Sequence, residues 1–287
     1  MKIAAIGVIG AGTMGSGIAQ VLAQAGYDTT IVDTKQEFID RGIATIQKSL
    51  SRFVKKGTIT QESADEIISR IHTSIDLRNA VKDLDYIIEA AFERADIKLS
   101  IMNQLDEVCR EDVILASNTS GVPISLLSSV TKRPDKVIGM HFMNPVPVMK
   151  GIEVVKSLLT SNETLDISLE LAKSVGKEPV VVKDSPGFVT NRILPVLLNE
   201  GAKLLEEGLA TVEDIDKIIK LSFNWPMGPF ELADLVGIDV IVDLAEGVYQ
   251  QTGWERFKPT PILKRMVEIG YIGRKANKGF YTLSGEK

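Results

Sequence analysis

Between Ile3 and Tyr27 the chain carries no charged side chain, yet glycines stand at positions 7, 10, 12, 15, 17 and 26. Few folds accept such a run. A secretory signal needs a compact apolar stretch ending at a small-residue cleavage site, and Lys2 followed by "IAAIGVIGAG" imitates one. A membrane-spanning helix needs about 20 mostly apolar residues. So many glycines make a poor helix across the whole run, and Ser16, Gln20 and Gln24 interrupt its apolarity.

A third reading accounts for the glycines one by one. "IAAIGVI" has the continuous apolar character of a buried parallel strand, and it ends at Gly10. Gly10, Gly12 and Gly15 form G-x-G-x-x-G, with Thr13 and Met14 between the last two. The first glycine permits a tight turn, the second lets backbone approach a pyrophosphate, and the third allows close helix–strand packing. "GSGIAQVLAQAG" continues as a helix that stops at Gly26. "DTTIVD" is the next strand, ending at Asp33, where an acid can bind a ribose 2′-hydroxyl and repel a 2′-phosphate. The expected cofactor is NAD rather than NADP. Strand, turn, helix and acid in this order favour a dinucleotide site over a processed or spanning segment.

The remaining composition narrows the class. With 287 residues the chain is long enough for about two domains. A net charge of −5 argues against nucleic acid as a partner, because phosphate contacts need a basic surface. The single cysteine, Cys109, excludes an internal disulfide framework and fits a reducing compartment, the cytoplasm. Two histidines, His72 and His141, offer little for a metal site, and none is expected. No membrane partner is expected either.

Residues 35–57 and 61–71 have helical spacing, and Lys48, Arg52, Lys55 and Lys56 cluster there. Alone, that cluster reads as a solvated helix face; on an acidic protein it also suits an anionic ligand. Strands are expected at 85–92, 113–120, 136–142, in "GIEVVKS" and at 179–184. Alternation of strands and helices predicts an α/β fold, a Rossmann-type doubly wound sheet. Ligands sit beyond the carboxyl ends of strands in such sheets, and Glu93, Ser117–Ser120 and His141–Asn144 all fall at such ends. After "DSPGFVTNRI" the pattern turns helical: 187–207 with Ser185 as cap and Pro186 at the first position, 212–222 opened by Thr211, and 229–251. We expect an NAD-binding domain over 1–185 and a mostly helical C-terminal substrate and dimerisation domain over 186–287. The second is a small core, so a second copy of the chain is expected to complete it as a homodimer.

The motifs "IGAGTMGSGIA", "ASNTS", "GMHFMNP", "DSPGFVTNR" and "PMGPFELADLVGID" resemble those of the L-3-hydroxyacyl-CoA dehydrogenases, in order and over nearly the whole chain. The size resembles the short-chain, bacterial 3-hydroxybutyryl-CoA type. The resemblance implies an oxidoreductase of fatty-acid or butanoate metabolism that interconverts (S)-3-hydroxyacyl-CoA and 3-oxoacyl-CoA. By resemblance His141 is the catalytic histidine, Glu153 the acid that holds it, and Ser120 and Asn191 the polar groups around the substrate oxygen. Glu93, Lys98 and Asn144 match residues near the nicotinamide half of the cofactor, and Ser120 is counted with them. Ser49 and Lys56 match coenzyme A contacts, which turns the basic stretch into an anion clamp. One departure is Gly121, where family members often carry a second serine.

The implied chemistry needs a proton acceptor beside a hydride acceptor. An imidazole, with an ordinary pKa of about 6.5, suits the first role, and NAD supplies the second. A paired carboxylate fixes the ring tautomer. Outside that context each residue has a plainer reading: His141 as a structural histidine between strands, Glu153 as an edge acid, Ser120 as a helix cap, Asn191 on a solvent-facing turn. Cys109 is expected to pack as a small hydrophobe, and His72 to be solvated.

Overall fold

The computed structural model describes residues 3–281. The chain divides into two compact units between Ser185 and Pro186.

The first unit is built on one eight-stranded sheet. Its elements are β1 (Ala5–Ile9), α1 (Thr13–Gln24), β2 (Asp28–Val32), α2 (Gln36–Lys55), α3 (Gln61–Ser69), β3 (Ile71–Ser74), α4 (Leu77–Ala80), β4 (Tyr86–Glu89), α5 (Ala95–Val108), β5 (Ile114–Ser117), α6 (Ile124–Ser128), β6 (Val137–Phe142), β7 (Gly151–Lys156), α7 (Asn162–Ser174) and β8 (Glu178–Lys183). The sheet order is β3-β2-β1-β4-β5-β6-β7-β8. Its first six strands follow the doubly wound dinucleotide order, whose switch point lies between β1 and β4. Both faces of β1 are covered: Ile6, Val8 and Ile9 are buried, with β2 and β4 running parallel on either side. That is why its sequence is a continuous apolar run rather than an alternating one. The core on the α1 side gathers Val8, Ile18, Leu22, Ile31, Ile46 and Met140. The opening apolar run is therefore β1, a turn and α1, and among the described residues no helix is long and apolar enough to cross a membrane.

Two features of this sheet were not expected from the sequence. β3 is short and half-exposed, with His72 facing solvent, so it leaves almost no hydrophobic signature. β7 runs antiparallel to β6, pairing His141 with Glu153 and Met140 with Val154. A tight return can make such a pair, whereas parallel neighbours need a long crossover.

The second unit holds α8 (Thr190–Glu206), α9 (Val212–Phe223), α10 (Pro229–Val236), α11 (Ile238–Thr252) and α12 (Pro261–Glu268). Leu198, Ala202, Ile215, Phe230, Ile241 and Leu263 form its core. Thr211 caps α9 as expected, its hydroxyl accepting the Asp214 N–H. Two expectations are corrected. The helix foreseen from residue 187 with Ser185 as its cap begins only at Thr190, because Gly187 and Phe188 both take positive φ, outside the helical region. The single helix foreseen over 229–251 is two, broken at Gly237, whose φ of 109° ends α10 and starts α11 in a new direction.

Candidate active site

The turn between β1 and α1 is shaped by what its glycines exclude. Gly10 has φ 111°, and a Cβ there would lie 2.6 Å from the Ala90 carbonyl oxygen at the end of β4. A Cβ on Gly15 would collide with the Gly10 carbonyl. Gly12 differs: nothing lies within 4 Å of the place its Cβ would take. Gly12 is the N-cap of α1 and offers no side chain to the first-turn N–H groups of Thr13, Met14 and Gly15. An open helix N-terminus with bare backbone at its mouth is the donor set a pyrophosphate needs. Asp33, just past β2, braces this turn. Its Oδ2 accepts the Ala11 N–H at 2.7 Å and its Oδ1 accepts the Thr34 N–H at 2.6 Å. These residues fit a dinucleotide.

At the far side of the switch point, β4, β5 and β6 end together. His141 is the fifth residue of β6 and lies opposite Glu153 on antiparallel β7. Opposed residues in such a pair share one face of the sheet, with Cβ atoms about 5 Å apart. His141 Nδ1 is 2.8 Å from Glu153 Oε2, and each residue is only 5 % exposed. A carboxylate can only accept, so Nδ1 carries the hydrogen and Nε2 presents a lone pair in the neutral ring. Ser120 Oγ lies 3.2 Å from that Nε2. The structure thus joins three of the residues named from the sequence into one chain of contacts.

Ser120 is held by the loop that follows β5. Glu93 Oε1 accepts the N–H groups of Ser120 at 2.9 Å and Gly121 at 2.8 Å, together with the Thr119 hydroxyl. Glu93 Oε2 faces Lys98 Nζ at 3.3 Å. Partial burial pushes the Glu93 carboxyl up, but the Lys98 ammonium and the three hydrogen bonds outweigh it, and its pKa lies below the usual carboxylate value. Asn118 Oδ1 accepts the Phe142 N–H at 2.9 Å and ties the end of β5 to the end of β6.

One residue of this cluster escaped sequence reading. Glu89, the last residue of β4, is fully buried. Its oxygens accept from Lys98 Nζ at 2.9 and 3.0 Å, from Ser117 Oγ at 2.5 Å and from the Ala91 N–H at 2.7 Å. Lys98 is 1 % exposed, so its ammonium lies beneath the loops rather than at their surface. A run such as "YIIEAAF" reads as one strand with an acid in its middle, whereas β4 stops at that acid; only the lysine nine residues on, one turn into α5, could have suggested burial.

The other named residues fall elsewhere along the chain. Asn144 is exposed just beyond β6. Ser49 is half-buried on α2, and Lys56 is exposed at its C-terminal cap, near exposed Lys48, Arg52 and Lys55. Asn191 is the second residue of α8 in the C-terminal unit and is buried. Cys109 packs in the interior, where burial pushes its thiol up to about 11.

Residues 5–185 match the family profile described as 3-hydroxyacyl-CoA dehydrogenase, NAD binding domain, and residues 187–283 match its C-terminal domain. The chain belongs to the 3-hydroxyacyl-CoA dehydrogenase family. Within that family it is 46 % identical to a probable 3-hydroxybutyryl-CoA dehydrogenase of Deinococcus radiodurans, over 96 % of this chain and 98 % of that one. It is 45 % identical to a 3-hydroxybutyryl-CoA dehydrogenase of Clostridioides difficile, over 98 % and 99 %. The crystal structure of (S)-3-hydroxybutyryl-CoA dehydrogenase from Ralstonia eutropha is similar with a TM-score of 0.92 and 42 % identity, covering 98 % of this chain and 99 % of that one. As a member of this family the chain is an NAD-dependent oxidoreductase.

Proposed function

We propose that this dehydrogenase interconverts (S)-3-hydroxybutyryl-CoA and acetoacetyl-CoA, with His141 and Glu153 as its proton-handling pair. The observation that carries the reading is the 2.8 Å contact between His141 Nδ1 and Glu153 Oε2, with Ser120 at the opposite ring nitrogen. In the oxidative direction Nε2 takes the proton of the substrate hydroxyl, and in reduction it returns it. Glu153 keeps the hydrogen on Nδ1 and stabilises the imidazolium once the proton arrives. Ser120 donates a hydrogen bond to the substrate oxygen as its charge changes. NAD, when bound, supplies the hydride acceptor. Gly10, Gly12, Thr13, Met14 and Gly15 hold its pyrophosphate, Asp33 its adenosine ribose, and Glu93 and Asn144 border its nicotinamide half.

Ser49 and Lys56, helped by Lys48, Arg52 and Lys55, receive the phosphates of coenzyme A. The exposed apolar side chains Ile218, Leu221 and Phe223 on α9 support a homodimer through the C-terminal helices. A monomer mass in light scattering at micromolar concentration contradicts that arrangement. The decisive experiment for the substrate follows NADH absorbance with acetoacetyl-CoA, longer 3-oxoacyl-CoA thioesters and free acetoacetate. Preferential turnover of acetoacetyl-CoA is expected. Equal rates with the free acid sink the thioester assignment, and faster turnover of long thioesters sinks the short-chain one.

A further inference from the structure

We propose that Glu89 is a positioning residue for the Ser120 hydroxyl, acting through Lys98, Glu93 and Ser117. The proposal rests on the reading of Ser120 and His141 given above, and it extends that reading to a side chain with no exposed surface. Two loops, after β4 and after β5, must hold their shape for Ser120 to stay at His141 Nε2. Glu89 is bonded to both. On the β4 side it accepts the Ala91 N–H and binds Lys98, whose ammonium also donates to the Ala91 carbonyl at 3.3 Å. On the β5 side it accepts from Ser117 Oγ, which in turn accepts the Thr119 N–H at 3.2 Å. Lys98 then faces Glu93, and Glu93 grips Thr119, Ser120 and Gly121.

The charges explain why an acid is needed at this depth. The Lys98 ammonium is only 1 % exposed and cannot be hydrated, so a buried partner must offset it. Glu89 provides that partner from below and leaves Lys98 to face Glu93 above. Without Glu89, Glu93 becomes the lysine's only carboxylate within this cluster. The Glu93 side chain is 44 % exposed and free to follow the lysine, and the three donors of the Ser120 loop lose their common acceptor.

The test uses the two-histidine composition of the chain. With 15N-labelled histidine, the His141 resonances are distinguished from those of His72 by their loss in His141→Gln. Ser120→Ala is expected to move the Nε2 signal. Glu89→Gln should move it in the same direction, and Glu89→Gln combined with Ser120→Ala should move it no further than Ser120→Ala alone. The kinetic cycle on acetoacetyl-CoA should agree. Glu89→Gln should lower kcat about tenfold in the wild-type background and less than about twofold in the Ser120→Ala background. An unmoved His141 signal, or an equal kcat loss in both backgrounds, overturns the proposal. So does a change confined to KM. If Glu89→Gln does not fold, Ser117→Ala cuts the same path at a smaller side chain and is judged by the same criteria. The resonance arm needs no turnover, so a chain inactive on acetoacetyl-CoA refutes the substrate assignment while that arm still decides the role of Glu89.

Discussion

Replacing Glu153 by Gln tests the pair most directly. Glutamine keeps the volume of a side chain that is 5 % exposed, so packing against β6 is retained and the melting temperature should change little. What goes is the negative charge beside Nδ1. The 2.8 Å contact puts the two charge centres about 4 Å apart in the imidazolium state, worth about 4 kcal/mol at the effective dielectric that suits protein sites. Each 1.36 kcal/mol is about a factor of ten in rate, so the full effect approaches 10³. Water entering with the substrate screens part of it, and a neutral amide can still accept from Nδ1; the expected fall in kcat is about 10²- to 10³-fold. The assay is initial-rate NADH oxidation with saturating acetoacetyl-CoA, alongside calorimetric titration of NAD. Affinity for NAD should stay within about threefold, because in the proposed mechanism Glu153 acts on the proton and not on the cofactor. A fall in kcat below about threefold, or an equal loss in NAD affinity, refutes the reasoning.

Four further outcomes are expected. His141→Gln should reduce turnover by about 10²-fold or more with NAD affinity nearly intact, read by the same two measurements. Asp33→Ala should weaken NAD binding and relax discrimination against NADP, since it removes both the proposed ribose acceptor and the brace on the Ala11 N–H; titration with each cofactor checks this. Glu93 is held below its ordinary value of 4.5, so its contribution to stability is complete above that pH and is lost as the pH falls through the lowered native value. The melting-temperature gap between wild type and Glu93→Gln should therefore be widest at neutral pH and close on acidification. Cys109, buried and with its thiol raised to about 11, should resist a thiol reagent at about pH 8 in the folded protein and react once unfolded, as followed by mass spectrometry.

The sequence revealed the outer frame of the site more readily than its interior. The strand before Gly10, the turn and the acid at Asp33 were legible because each answers to a steric or electrostatic need of the backbone itself. The end of β6 fell at Phe142, where its apolar run stops, whereas β4 and β5 end at Glu89 and Ser117, three residues short of the spans expected of them. His141 and Glu153 stood out through resemblance; their spacing alone did not show that an antiparallel return sets them side by side. Strand direction depends on which edge of a sheet is vacant, and no local pattern records that. Glu89 and Lys98 were harder still: both are charged, and charge normally signals solvent, so their burial follows only from each other's presence. The late start of α8 and the break at Gly237 turn on positive φ values that Phe188, for one, gives no reason to expect.

The direct opposition of residues 141 and 153 has a consequence for how this enzyme can change over evolutionary time. The connection from Met143 to Lys150 can gain or lose residues without disturbing the pair, because the ladder of hydrogen bonds, not the loop, measures their separation. A shift of one residue between β6 and β7 is another matter. It points the carboxylate to the opposite side of the sheet and leaves the imidazole with an aliphatic neighbour. New substrates can be accommodated by redrawing the rim, while the proposed proton-handling pair stays locked in the pleat.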